Sequence, residues 1–342
     1  MDSSGLVAGI EARSVPALAR AISLVENARD GYESLLSRLH GKVGRARRFG
    51  ITGPPGAGKS TLVERLVQAY RARGTTVAVV AVDPTSPFSG GALLGDRIRM
   101  ESVSLDPGVY IRSMATRGAT GGLATTTREV CDVLDAFGFE RIIIETVGVG
   151  QSELAIAASA DTAVLVLVPE SGDGVQVLKA GVMEIADLYV VNKADRPGAD
   201  RLVQEVEVML GLRRGSAYRH VAPHHGTRDI PAATEPATGW TPTVLKTVAT
   251  KGEGVDMLID AIERHYDHLE RTGELVGRRR DRLERHTRDV VDRAVSAWVW
   301  EKRAADAKLT AAMERVARGE LSPYRLAHDI VAGLREADTN DR

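Results

Sequence analysis

Gly53-Pro54-Pro55-Gly56-Ala57-Gly58-Lys59-Ser60-Thr61 decides the fold of this 342-residue chain. The stretch fits G-x-x-x-x-G-K-[ST] in full, between a short apolar run at 49–52 and an amphipathic run from Lys59 to about Arg73. Strand, glycine-rich turn and helix, in that order, are the setting in which such a loop closes round a phosphate. Its glycines let main-chain N–H groups turn inward, and the helix behind adds the positive end of its dipole. Lys59 then supplies a cation for the β- and γ-phosphates, and the Ser60 hydroxyl is placed to ligate Mg2+. A glycine-rich turn that binds nothing is the competing reading. The complete pattern in its proper setting argues against it.

Further short apolar runs at 77–82, 142–144, 163–168, 188–191 and 244–248 read as strands, with helical patterns between most of them. This alternation predicts an α/β fold of the P-loop NTPase class, a mostly parallel sheet flanked by helices. Ligands of such sheets sit at the carboxyl ends of the strands, where the motifs of this chain fall. Residues 14–40 read as helix, with Pro16 in the first turn and Leu18, Ile22 and Val25 at helical spacing. The stretch 211–242 holds Gly, Pro, Thr and His without periodicity and reads as a long surface loop. Beyond Gly254 the pattern is helical to Leu334, with Val291, Val295 and Trp298 along one face and a helix start at Ser322-Pro323. Three regions are expected: a helical arm over 1–45, a nucleotide domain over 46–272 and a helical region over 273–342.

Asn192-Lys193-Ala194-Asp195 follows the run at 188–191 and matches the N-K-x-D guanine signature. A carboxylate accepts two hydrogen bonds from guanine N1–H and the 2-amino group. Adenine lacks that donor pair, so a buried Asp195 would favour GTP over ATP. Alone, four such residues are common turn formers; downstream of a phosphate loop the functional reading wins. Val248-Ala249-Thr250, before Lys251-Gly252-Glu253-Gly254, resembles a last base-contacting loop.

Glu145-Thr146-Val147-Gly148 stands where small G proteins carry D-x-x-G, with Glu145 in place of the Asp that holds the metal. Val149 replaces the water-orienting Gln often found after that Gly, and Gln151 is the nearby candidate. Slow hydrolysis that depends on a partner is the expectation. Asp83 and Asp96 follow the second strand, where switch loops form, and Asp83 at the strand end is the stronger candidate for the metal site.

Hydrophobic residues make up 43% of the chain, enough for a sizeable core, and aromatics only 4%. The net charge of −1 gives no global electrostatic case for binding nucleic acid or membrane. The single Cys131 cannot form an internal disulfide, and no apolar run approaches the roughly 20 residues of a membrane span. Without a signal-peptide pattern at the N-terminus, a cytoplasmic location is expected.

The stretches GPPGAGKST, VAVDPTSPFSGGALLGDRIRM, IRSMATRGATGGLA, IIIETVGVGQSE and SGDGVQVLKAGVMEIADLYVVNKAD together resemble the MeaB group of GTPases, called MMAA in animals and ArgK in older bacterial usage. The arm with LARAISLVE and the helical tail are similar as well, so the likeness covers nearly the whole chain. It implies a homodimer made by the C-terminal helices, binding of GTP or GDP with Mg2+, and a complex with an adenosylcobalamin-dependent mutase, usually methylmalonyl-CoA mutase. Nucleotide state would then gate cofactor loading and protect the mutase. The resemblance also places Asp83, Asp96 and Glu145 around Mg2+ and the switch regions, and Lys179 in a third switch loop. The chain departs from the group in its irregular region 211–240, and in Val248-Ala249-Thr250, which lacks the usual serine and basic residue. Two competing readings are a nickel-insertion GTPase, for which the chain offers one Cys and the loop histidines His220, His224 and His225, and a transport-system kinase.

Overall fold

Short continuous runs of Val, Ile and Leu, separated by helices, suit a parallel sheet that is covered on both faces. Seven strands form one: β1 (Arg47–Thr52), β2 (Val77–Asp83), β3 (Val109–Ala115), β4 (Arg141–Thr146), β5 (Thr162–Leu167), β6 (Leu188–Val191) and β7 (Thr243–Lys246). Their order is β3-β2-β4-β1-β5-β6-β7, and every neighbouring pair is parallel. The computed structural model describes residues 3–83, 100, 102–115, 122–146, 159–169, 186–213, 239–302 and 305–340.

Among the described residues the α-helices, in chain order, are α1 (Ser3–Glu11), α2 (Val15–Glu26), α3 (Tyr32–Leu39), α4 (Lys59–Ala72), α5 (Gly122–Phe137), α6 (Ala199–Arg213), α7 (Val255–Thr272), α8 (Glu274–Ala297), α9 (Ala305–Ala317) and α10 (Pro323–Asn340). Alternation along each strand sends Ile51, Val79, Ile143 and Val190 to one face, against Leu62 and Leu66 of α4 and Leu258 and Ile262 of α7. Val80, Ile142 and Ile144 go to the other face, where Val130 and Leu134 of α5 meet Leu18, Ile22 and Leu35 from α2 and α3. Further along the sheet Tyr189 and Val191 pack against Leu202 and Val206 of α6.

Three sequence expectations change. The helix expected over 14–40 is broken in two, because Ala28 and Gly31 take positive φ values of 44° and 89° and end the first helix at Glu26. Apolar spacing carries across the break, which hides it from a periodicity argument. β3 was not anticipated: it is an edge strand in which Tyr110, Arg112 and Ser113 dilute the apolar signal. β7 ends at Lys246, and Val248 instead makes an isolated bridge to Glu253. The start of α10 at Pro323 agrees with expectation, and the Ser322 Oγ accepts from the Arg325 N–H at 3.1 Å.

The chain divides into two compact units, residues 1–279 and 280–342. The second holds most of α8, a π-helical turn (Trp298–Lys302), α9 and α10. Its core is small, with Ala305, Leu326 and Ile330 at the centre and Trp298, Val299 and Leu309 against them. Trp298 thus packs within this unit, whereas Val291 and Val295 of the same stripe are half exposed. No helix among the described residues is long and apolar enough to cross a membrane.

The sheet order fixes where a ligand can lie. From β1 the chain passes to β2, beyond β4, and from β4 it crosses to β5 on the other side of β1. Connections leave in opposite directions around β1, so a crevice opens at its carboxyl end.

Candidate nucleotide-binding site

The crevice is lined by the turn from β1 to α4. Gly53 has φ 144°, and a Cβ there would stand 2.1 Å from the Val166 carbonyl oxygen on β5. Gly58 has φ 82°, and a Cβ there would lie 2.6 Å from the Asn192 Nδ2. Both positions need glycine, for backbone conformation and for space. Pro54 and Ala57 are buried, Pro55 and Gly56 exposed, and Gly58 and Thr61 partly covered. The Lys59 side chain folds back into the turn, where its Nζ donates to the carbonyls of Gly53 at 2.8 Å and Pro54 at 2.9 Å. An ammonium is thereby held inside the loop at only 5% exposure. Together with the α4 N-terminus it makes the turn strongly attractive to an anion.

Beside it, Ser60 Oγ donates to Glu145 Oε1 at 2.8 Å. Parallel register creates this contact: Ile51 pairs with Glu145, so the carboxyl end of β4 lies level with the start of the turn. The Thr146 and Thr52 hydroxyls meet at 3.2 Å one residue further on. Glu145 is 1% exposed. A hydroxyl and a carboxylate oxygen are hard donors, and this pair suits Mg2+, which takes few protein ligands and keeps waters or phosphate oxygens for the rest. The Asp83 backbone ends β2 two residues past the partner of Glu145, opposite Ala115. Asp96, Gln151 and Lys179 lie outside the described residues, as do His220, His224 and His225.

The second motif meets the first through Asn192. Its Nδ2 donates to the Ala57 carbonyl at 2.8 Å, and its Oδ1 accepts from Thr247 Oγ1 at 3.0 Å and from the Ala249 N–H at 3.1 Å. At 2% exposure this amide ties the phosphate turn, the β6 end and the loop after β7 into one body. The Ala194 N–H reaches the Thr247 carbonyl at 3.0 Å. Lys193 takes a positive φ of 56°. Val248 and Ala249 are buried and Thr250 is exposed, with Ala249–Lys251 forming a short 3-10 turn.

Asp195 differs from expectation: its side chain is 42% exposed, and it faces Lys251 Nζ at 3.7 Å. It lies four residues past the end of a four-residue strand, in a turn at the rim of the sheet. Sequence reading also missed Thr247 and Arg65. Arg65 donates from α4 to the carbonyls of Ala249 at 3.1 Å and Thr250 at 2.9 Å. The basic residue absent from 248–250 stands one position later, as Lys251. No sequence signal marks Arg65, because its partners are main-chain oxygens 184 and 185 residues away.

The sequence model of the family described as "Methylmalonyl Co-A mutase-associated GTPase MeaB" matches residues 18–304. A Pyrococcus abyssi protein that bears a GTPase designation is 45% identical over 315 residues, covering 92% of this chain and 91% of its own. The mouse mitochondrial protein named methylmalonic aciduria type A homolog is 36% identical over 295 residues, covering 81% of this chain and 65% of its own. Among solved structures, one described as an LAO/AO transport system kinase superposes with a TM-score of 0.64 at 25% identity, covering 97% of both chains. A phosphate turn with its lysine and serine in place, an asparagine bracing that turn from the N-K-x-D motif, and a family match across most of the length agree: this chain belongs to the MeaB family of P-loop GTPases.

Proposed function

We propose that the chain binds GTP at the crevice above β1 and hydrolyses it as the timing step of a chaperone for an adenosylcobalamin-dependent acyl-CoA mutase, methylmalonyl-CoA mutase being the first candidate. The observation that carries the nucleotide part is the 2.8 Å contact of Ser60 with Glu145 beside the buried Lys59. Those three groups supply a cation for the phosphates and oxygen donors for a metal. Ser60 and Glu145 would hold Mg2+, with Asp83 and Asp96 as further candidates, and the ion would neutralise charge on the phosphates. Asp195, exposed at the rim, would be covered by the guanine it recognises, which strengthens its hydrogen bonds by removing water.

Glu145 is the last residue but one of β4, which runs straight into residues 147–151, and Asp83 ends β2 directly before residues 84–96. Contacts to the γ-phosphate would order these segments and their loss on hydrolysis would release them, with Lys179 sensing the same change. Any partner that prefers one arrangement is then linked to nucleotide state. The mutase enters through the family description and the mouse relative, whose names speak of methylmalonyl-CoA mutase and methylmalonic aciduria. Action as a homodimer through the helical region 273–342, and in the cytoplasm, belongs to the same reading. A transport-system kinase would use ATP, and Asn192-Lys193-Ala194-Asp195 favours guanine. The test is the hydrolysis rate of GTP and of ATP, with and without methylmalonyl-CoA mutase from the same source. Acceleration of GTP hydrolysis alone by the mutase is expected. GTP hydrolysis indifferent to the mutase would overturn the chaperone role and leave the nucleotide reading standing.

A further inference from the structure

We infer that Arg65 is a positioning residue for guanine selectivity: it fixes the main chain of the 249–250 loop from α4, the helix that also carries the phosphate-binding Lys59 and Ser60. The inference rests on the guanine reading of the crevice.

The loop after β7 offers little side-chain chemistry. Val248 is buried and apolar, Ala249 has only a methyl group, and Thr250 is exposed. Contacts with a base must therefore run chiefly through main-chain groups, and their strength depends on where the backbone is held. Two devices hold it. On the inner side Asn192 Oδ1 takes the Ala249 N–H and the Thr247 hydroxyl. On the outer side Arg65 reaches two successive carbonyls, Nε to Ala249 at 3.1 Å and Nη2 to Thr250 at 2.9 Å. A guanidinium is a rigid planar fork, so one side chain fixes both oxygens in a single geometry, which an ammonium cannot do. The fork is itself aimed: Nη1 donates to Gln68 Oε1 at 3.0 Å, and Gln68 Nε2 donates to Ser102 Oγ at 3.0 Å.

The consequence is a ruler. A nucleotide must reach from Lys59 and Ser60, at the first turn of α4, to the loop at 249–250. Arg65 leaves the same helix about one and a half turns later. Phosphate end and base end are thus referred to one rigid element. Loss of Arg65 frees the outer side of the base loop while Lys59, Ser60 and Asn192 keep their contacts.

The experiment measures the affinities of GDP and ADP for the full-length wild type, Arg65→Ala and Arg65→Lys, together with their thermal midpoints. Two charge-assisted hydrogen bonds are at stake, so Arg65→Ala should weaken GDP about tenfold and leave ADP unchanged. Guanine preference then falls by the same factor. Arg65→Lys should lie between wild type and Ala, at an unchanged midpoint. Equal losses for GDP and ADP, or an unchanged GDP affinity in Arg65→Ala, would overturn the inference and leave the guanine reading intact. A wild type without guanine preference would overturn that reading and the inference together.

Discussion

The two ends of the sheet are both polar, and they are polar for different purposes. At the carboxyl ends stand Lys59, Ser60, Glu145 and Asn192, few in number and joined largely to main-chain atoms of turns with positive φ. At the amino ends the charges pair with one another. Arg47 and Arg141 converge on Glu263, which also takes the Tyr70 hydroxyl at 2.9 Å. Arg48 pairs with Asp132 and Asp135, and Arg279 with Asp161. Asp135 is enclosed completely and accepts from the N–H groups of Gly44, Arg45 and Ala46 as well as from Arg48. One end keeps a cation ready for an outside anion and oxygen donors ready for its metal. The other satisfies its charges internally, and so fastens the segment at 44–48 to α5 and α7. Buried charge alone therefore does not mark the site; what its partners are does.

The comparison can be broken most sharply at Asp135. Asp135→Ala leaves the Arg48 guanidinium, 9% exposed, without its most buried carboxylate and strands three backbone donors. A loss of about 3–5 kcal/mol in unfolding free energy is expected from chemical denaturation, with GDP selectivity unchanged in the protein that remains folded. Lys59→Ala should act in the opposite sense. GTP affinity measured by fluorescence titration falls by roughly 100-fold or about 2.7 kcal/mol, while the thermal midpoint hardly moves.

Asp195→Asn is a smaller change at the rim. Preference for guanine over adenine nucleotides should drop about tenfold, seen in competition binding, with stability unaffected because the side chain is exposed. Glu263→Gln sharpens the other end. Burial raises the Glu263 pKa, but hydrogen bonding and charge from Arg141, with Tyr70 and Arg47 beside them, outweigh it and hold the carboxyl below its ordinary range. A depressed folded-state pKa gives stability that is present above the unfolded value of about 4.3 and is lost as pH falls through the folded one. The wild type should thus be more stable than Glu263→Gln by about 1 kcal/mol at pH 7, and the difference should vanish towards pH 3. A difference that persisted in acid would mean that packing, not charge, holds α7 to the strands.

Legibility followed the same division. Much of the nucleotide site could be read in advance, because a phosphate loop is a local object: nine consecutive residues, a strand before and a helix after. The guanine motif was legible at the end of β6 for the same reason. At the opposite end none of the contacts was foreseen. Arg47, Arg48, Arg141 and Arg279 look like ordinary surface charge in a chain that is 27% charged, until strand register and helix packing bring their carboxylates to them. Asp195 was expected to be buried and lies at the rim, since burial of a turn residue depends on what covers the sheet edge.

By itself the sequence determined the phosphate turn, most of the strands and helices, the candidate residues and the family. Each rests on contacts or periodicities within a few residues. Only the tertiary structure decided the strand order, the edge strand β3, the break between α2 and α3, and the meeting of Ser60 with Glu145 across 85 residues. It alone revealed Asn192 and Arg65 as braces on either side of one loop. Their partners are largely main-chain atoms, which every residue offers alike, so the letters of a sequence carry no trace of which carbonyl a distant side chain will find.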